Sequence, residues 1–300
     1  MTKLTVVINT LNEEKNLPRA VASVNGLADE VVVVDMKSTD NTKAVAKKLG
    51  AIVYEHEQTN YVEPARNFAL QQAQCEWVLV LDADEEISDT LKKEIKRIIT
   101  NPGSADYYRL PRKNIIFGKW IKHSLWWPDH NIRLFKKGCV SWSEIIHSVP
   151  TTKGRGLDFP ENEELAIIHH HYETVDQYLE RLNRYTTIYA NQLVKDGYAF
   201  NWRDILNKPM AEFLNRYFFG KGYADGLHGL VLSLLQAFSE LVVYLKVWQV
   251  EKFEEKNPAV EEIITLMKES NKELYYWQAD TLYKKSGSFI QKIKRKLRLL

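Results

Sequence analysis

The strongest constraint on this chain is an alternation in its first ninety residues. Short apolar runs, rich in β-branched residues, are separated by segments with helical spacing. Residues 4–8, 31–34 and 77–81 are nearly continuous apolar runs, and 51–54 is a shorter one. Runs of that length without polar alternation predict strands buried on both faces. Between them, Leu17, Ala20, Val21 and Val24 recur on one side of a predicted helix. Ala44, Val45 and Leu49 do the same in a second helix, which Ser38, Thr39 or Asp40 can cap and Gly50 ends. Residues 64–74 predict a third. The pattern implies an α/β fold with a Rossmann-like, mainly parallel sheet covered on both sides. Such sheets bind ligands beyond the carboxyl ends of their strands.

Polar residues sit at those ends. The first strand runs into Thr10, Asn12 and Glu13, the second into Asp35, and the fourth into Asp82-Ala83-Asp84-Glu85-Glu86. Two carboxylates one residue apart suit a hard divalent cation, Mg²⁺ or Mn²⁺, that also binds phosphate oxygens. Such a cation makes a diphosphate a better leaving group. The plain alternative is a solvated acidic loop capping the next helix. Asp35 can accept hydrogen bonds from a base or ribose, or simply cap a turn. Thr10, Asn12 and Glu13 stand where a nucleobase would lie. No Gly-x-Gly-x-x-Gly follows the first strand and no Gly-x-x-x-x-Gly-Lys-Ser/Thr occurs, so dinucleotide and P-loop chemistries lose their main warrant.

With 300 residues the chain can bury one large core, or one core plus a helical unit. Its formal net charge of +2 gives no electrostatic case for nucleic acid. Cys75 and Cys139 have no metal-ligand spacing, and a reduced, cytoplasmic setting is expected. Residues 105–170 are irregular, β-rich and aromatic; from Val175 onward the pattern is helical. Residues 227–250 come nearest to a membrane span but contain Glu240 and Lys246. In the last thirteen residues Phe289, Ile290, Ile293, Leu297 and Leu300 can share one helix side, with cations on the other. Such a helix suits an anionic membrane surface; a solvated basic end is the alternative.

Four blocks in order, VVINTLNEEKNL, EVVVVDMKSTDNT, ARNFAL and WVLVLDADEEI, resemble the inverting GT-A glycosyltransferases of family 2. NIRLFKKG, Tyr185-Thr186 and RYFFGKGYADGLHGL resemble the bacterial branch that includes lipopolysaccharide-core glucosyltransferases. The resemblance implies a nucleoside-diphosphate sugar donor, a UDP-sugar favoured, and a glycan or lipid-linked acceptor. It implies that Thr10, Asn12 and Glu13 line the nucleotide pocket and that Asp35 contacts the base. Arg66 and Asn67 would lie near ribose or diphosphate. Asp82, Ala83 and Asp84 would hold sugar, ribose and metal, with His169 of the His169-His170-His171 run as a further metal ligand. Arg133 would stabilise the diphosphate or fix the acceptor loop as part of the catalytic set. Arg66 and Arg133 also have plain readings as ion-pair residues.

Inversion needs a carboxylate that takes the acceptor proton. Relatives keep a His-Glu pair where this chain has His147-Ser148. Glu144, Asp129, and Glu85 or Glu86 are the candidates, Glu144 preferred because a strand there would place it on the face of Ser148. The expected organisation is a catalytic domain over 1–172, with a nucleotide-sugar half (1–100) and an acceptor half (101–172), then a helical extension over 173–300. The expected location is the inner face of the cell membrane. A nucleotidyltransferase or a non-catalytic membrane scaffold are the competing readings.

Overall fold

The computed structural model describes residues 3–58, 63–101, 103, 105–142 and 150–298. Two compact units emerge. The first comprises Met1–Ile115 and Trp127–His171, the second Ile116–Trp126 and Tyr172–Leu300.

The first unit is an α/β domain. Strands β1 (Leu4–Thr10), β2 (Glu30–Asp35), β3 (Ile52–Glu55) and β4 (Trp77–Asp82) alternate with helices α1 (Leu17–Ser23), α2 (Thr42–Lys48) and α3 (Glu63–Gln72). β1 pairs in parallel with both β2 and β4, and β2 with β3. Then come β5 (Glu85–Ile87), α4 (Asp89–Thr100), β6 (Tyr107–Leu110), β7 (Arg112–Ile116), β8 (Lys119–Trp120), β9 (Asn131–Lys136), β10 (Val140–Ser141), β11 (Thr151–Thr152), β12 (Gly156–Asp158) and β13 (Ile167–Tyr172). The large sheet has the order β12-β6-β9-β4-β1-β2-β3, with β9 antiparallel to both neighbours. The Rossmann-like, mainly parallel sheet expected from the alternation is therefore present.

β1 is buried at every position because both faces are covered. Leu4, Val6 and Ile8 pack with Leu17, Ala20, Leu91 and Ile95 of α1 and α4, while Val7 packs with Ala69 of α3 and with Ala73 just past its end. Period-two alternation divides one apolar run between two cores. β13 pairs antiparallel with β5, setting His169 opposite Glu85.

The second unit is helical: α5 (Val175–Lys195), α6 (Asp204–Leu214), α7 (Leu227–Val250), α8 (Val260–Ser286) and α9 (Phe289–Leu297). Thr174 and Gln177 form a capping box at the start of α5. By length and composition α7 could cross a membrane. Here it packs against α5 and α6. Its Lys246 is used up within the unit, donating to Asn183, Thr186 and Thr187 of α5. Gly229 on α7 lies so close to the Gly222 carbonyl that a β-carbon would sit 1.8 Å from that oxygen. The expected boundary at 172/173 misses one exchange: Ile116–Trp126 belongs with the helices. Ile116 and Ile121 pack with Tyr178, Leu182 and Leu232, and Asp225 accepts the Lys122 and His123 amides. That long-range packing left no mark on local composition.

Candidate active site

Strand register assembles the rim. Thr10 lies beside Asp35, and Asn9 beside Asp82. Alternation sends the pairs to opposite faces of the sheet. Thr10 and Asp35 follow Ile8 and Val33, whereas Asn9 and Asp82 follow Val7 and Val80. The two carboxylates share a rim but not a face.

At the first corner Asp35 is fully buried. Its Oδ2 accepts the Ser38 amide at 2.9 Å and its Oδ1 the Thr10 hydroxyl at 3.4 Å. Asn12, at φ 59°, donates its amide to Ser38 Oγ and accepts the Thr39 amide on Oδ1, each at 2.8 Å. The left-handed conformation is one that asparagine tolerates. Glu13 donates its amide to Thr42 Oγ1 at 2.8 Å and accepts Asn16 Nδ2 at 2.9 Å. Thr10, Asn12, Glu13 and Asp35 thus fasten the chain after β1 to the chain after β2. This is the turn-capping role that competed with base recognition.

The second corner is ionic. Arg66 on α3 donates Nη2 to Asp82 Oδ1 at 2.6 Å, and Arg133 on β9 donates Nη2 to Asp82 Oδ2 at 2.7 Å. The same Arg133 nitrogen reaches Glu85 Oε1 at 2.6 Å. Arg112 on β7 lies 3.2 Å from that oxygen and 2.7 Å from Asp129 Oδ2. Glu85 Oε2 in turn accepts the Asp82 amide at 2.9 Å. The result is a continuous alternation of charge: Arg66, Asp82, Arg133, Glu85, Arg112, Asp129.

Burial opposes the charge of Asp82, but the guanidiniums of Arg133 and Arg66 outweigh it and hold this carboxyl far below the usual carboxylate range. Burial likewise works against the cations Arg133 and Arg112. Asp82 and Glu85 around the first, and Glu85 and Asp129 around the second, raise both above an ordinary arginine. Asp129 resists burial in the same way, kept ionised by Arg112 and by the amides of Asn114 and Asn131.

Not every donor in this cluster is used. Five buried side-chain nitrogen and oxygen atoms near Asp82 have no hydrogen-bond partner among the described residues. They are Nε of Arg66, Nε and Nη1 of Arg133, and both amide atoms of Asn9. Arg133 is 2% exposed and Asn9 7%. Buried donors left unpaired are costly, so they mark a place suited to a polar ligand or to water.

A chain of hydrogen bonds also sets a histidine tautomer. Asp129 is ionised and can only accept, so Asn114 must turn Nδ2 toward it, at 3.1 Å. Asn114 Oδ1 then faces His169 Nδ1 at 2.6 Å, which must be the protonated nitrogen. His169 Nε2 lies 3.5 Å from Asp84 Oδ2 and 3.1 Å from His171 Nδ1, and in the neutral ring it is the nitrogen that carries the lone pair. His170 points elsewhere, to Glu86 Oε1 at 2.9 Å. Asp84 and His169 Nε2 thus present a carboxylate and an imidazole lone pair to one point, a donor set that fits a divalent cation in part. Asp82 has an arginine donor on each of its oxygens. Among the described residues no group of three or more His, Cys, Asp or Glu side chains is arranged to hold a metal ion.

The family model described as Glycosyl transferase family 2 matches residues 5–160, slightly more than half the chain. The chain belongs to glycosyl transferase family 2. An uncharacterized glycosyltransferase of Rickettsia typhi is 32% identical over 250 residues, covering 81% of this chain and 85% of the relative. The lipopolysaccharide core biosynthesis glycosyltransferase LpsC of Rhizobium meliloti is 24% identical, covering 82% and 92%. Among solved structures, S. aureus TarS 1–349 in complex with UDP is 18% identical with a TM-score of 0.44, covering 86% and 93%. Family membership sets aside the nucleotidyltransferase reading.

Within this glycosyltransferase several expected residues take unexpected positions. Asn67 faces the backbone of Trp142 instead of open space, donating Nδ2 to its carbonyl at 2.6 Å and accepting its amide at 2.9 Å. Trp142 also lies under the Arg66 guanidinium, 5.5 Å from the ring centre. The Ala83 methyl is buried in the apolar core. Glu144, the preferred base, and the neighbouring His147 and Ser148 lie outside the described residues. Glu85 is fully buried between two arginines, which removes it as a mobile base.

Arg112 and Asn114 carry no signal of their own in the sequence, whereas Asn9 stands with Thr10 at the polar end of the first strand. Arg112 and Asn114 are two apart on β7, with Ile116 continuing the same alternation, a period-two signal for one shared strand face. Asn9 is a polar residue set among seven buried strand positions, and that oddity was visible.

Proposed function

We propose that this glycosyltransferase moves a sugar, with inversion, from a nucleoside-diphosphate sugar to a glycan or lipid-linked acceptor. A UDP-sugar is the favoured donor, and lipopolysaccharide-core or related polysaccharide synthesis the favoured setting. The observation that carries this reading is the set of unused guanidinium donors on Arg66 and Arg133. A diphosphate offers oxygens for them, and charge-assisted bonds there would grow stronger as the sugar–phosphate bond breaks. The LpsC relative supports the lipopolysaccharide setting.

Asp84 and His169 would hold a Mg²⁺ or Mn²⁺ ion, whose chemistry when bound is to neutralise the diphosphate. Asp82 serves as the anionic hinge that fixes both arginines. Asp129 is the base favoured among the described residues. Arg112 and Asn114 load its Oδ2, whereas among the described residues Oδ1 accepts the side-chain amide of Asn131. Its side chain is 29% exposed. An ionised carboxylate with a lightly used oxygen can receive the acceptor proton.

The deciding experiment is a panel of nucleotide sugars, screened for thermal stabilisation and turnover with and without Mg²⁺ or Mn²⁺, beside Asp84→Ala. Wild type should respond to one donor and the variant should lose metal-dependent turnover. Absence of any donor response, or an Asp84→Ala protein as active as wild type, overturns the reading. Asp129→Asn should keep donor binding while transfer falls by about 10²–10⁴-fold. Unchanged transfer returns the role to Glu144.

A further inference from the structure

Helix α9 is mounted with its charged side inward. Gln291, Lys294 and Arg295, at i, i+3 and i+4, are its half-buried residues. Arg295 donates to Asp280 Oδ1 of α8 at 2.9 Å, and Arg298, just past the helix, pairs with Glu273 of α8. The apolar residues lie on the other side. Phe289, Ile290, Ile293 and Leu297 span an arc of about 100° at 3.6 residues per turn. They are 70%, 65%, 44% and 57% exposed. A helix docked on a globular core ordinarily buries that stripe and exposes its charges. Lys292 and Lys296 border the apolar arc on one edge and Lys294 on the other.

We propose that α9 is an in-plane membrane helix that docks this apolar face, with its lysine border, on an anionic bilayer surface. The four apolar side chains would enter the boundary between headgroups and acyl chains, and the lysines would reach the phosphates. The arrangement favours a bilayer over a second copy of the chain. A symmetric contact about α9 would bring Lys292 and Lys296 toward their own copies, and like charges across an interface are costly. A bilayer offers anions at every point along the border. The inference stands apart from the donor chemistry and from the identity of the base.

The test uses the full chain with two vesicle compositions, phosphatidylcholine alone and phosphatidylcholine mixed with phosphatidylglycerol, read by flotation. The mixed vesicles should carry the protein up and the neutral ones much less, with the difference shrinking as salt rises. Lys292→Gln and Lys296→Gln should each weaken partitioning about fivefold. Ile290→Ser combined with Ile293→Ser should abolish flotation while circular dichroism and donor-induced thermal stabilisation stay as in wild type. Both isoleucines are exposed, so folding does not depend on them. Three results would overturn the proposal: no flotation of wild type with the mixed vesicles, equal flotation of the double variant, or a wild-type dimer in sedimentation that the double variant loses.

Discussion

Asp35 and Asp82 end neighbouring regions of one sheet rim and are satisfied in opposite ways. Asp35 is held by a backbone amide three residues on and a hydroxyl from the adjacent strand, both neutral. Asp82 is held by two guanidiniums, from positions 16 and 51 residues away. Neutral local donors make a closed turn with little capacity to spare. Guanidiniums fixed by one edge keep further donors, and those are the buried groups left without partners. The difference teaches that a carboxylate at a strand end can belong either to the scaffold or to the chemistry. What separates the two is the charge and origin of its partners.

That contrast can be broken by mutation. The largest effect is expected from Arg133→Ala, which leaves Asp82 and the buried Glu85 facing each other without the cation between them. Loss of one partner from a buried ion pair costs about 3–5 kcal/mol. Urea unfolding would measure it, and a loss below about 1 kcal/mol would mean the ionic corner is not structural. Asp82→Asn comes next, at about 2–3 kcal/mol, reduced because a quarter of the Asp82 side chain meets solvent. Asn67→Ala should cost about 1–3 kcal/mol, since it strands the amide and carbonyl of Trp142. Asp35→Asn should cost less than about 1 kcal/mol, because an amide oxygen can still accept from Ser38 and no charge is left unpaired. Equal losses for Asp35→Asn and Asp82→Asn would abolish the distinction drawn above.

Acid sharpens the same comparison. Asp82 and Asp129 have folded-state pKa values below those of an unfolded aspartate, about 3.9. Depressed acids stabilise the fold fully above the unfolded value, and that contribution disappears as pH falls through the folded one. The gap in urea midpoint between wild type and Asp82→Asn should therefore be widest near pH 6 and narrow as pH falls below about 4. A gap independent of pH would show that the asparagine acts through packing and not through charge.

Much of the rim was legible before any coordinates. Apolar runs announced the strands, and their last residues, Thr10, Asp35 and Asp82, announced the ligand edge. The turn-capping reading of Asp35 was legible too, since the Ser38 amide that it accepts lies three residues on. The partners of Asp82 were not. Arg133 and Arg66 each carried two equal readings, and Arg112 carried none, because a guanidinium's partner depends on which strand lies beside it. Asn67 looked like a ligand contact on its helix; its partner Trp142 is 75 residues on.

The sequence by itself determined the α/β class, the strand ends that form the rim and the family, because period-two burial and short-range hydrogen bonding act over a few residues. Only the tertiary structure decided which partners each rim carboxylate has, which arginines keep donors without partners and which face of α9 looks outward. Those outcomes depend on register between strands and on charges brought together from distant parts of the chain, where electrostatics acts through space and not along the sequence.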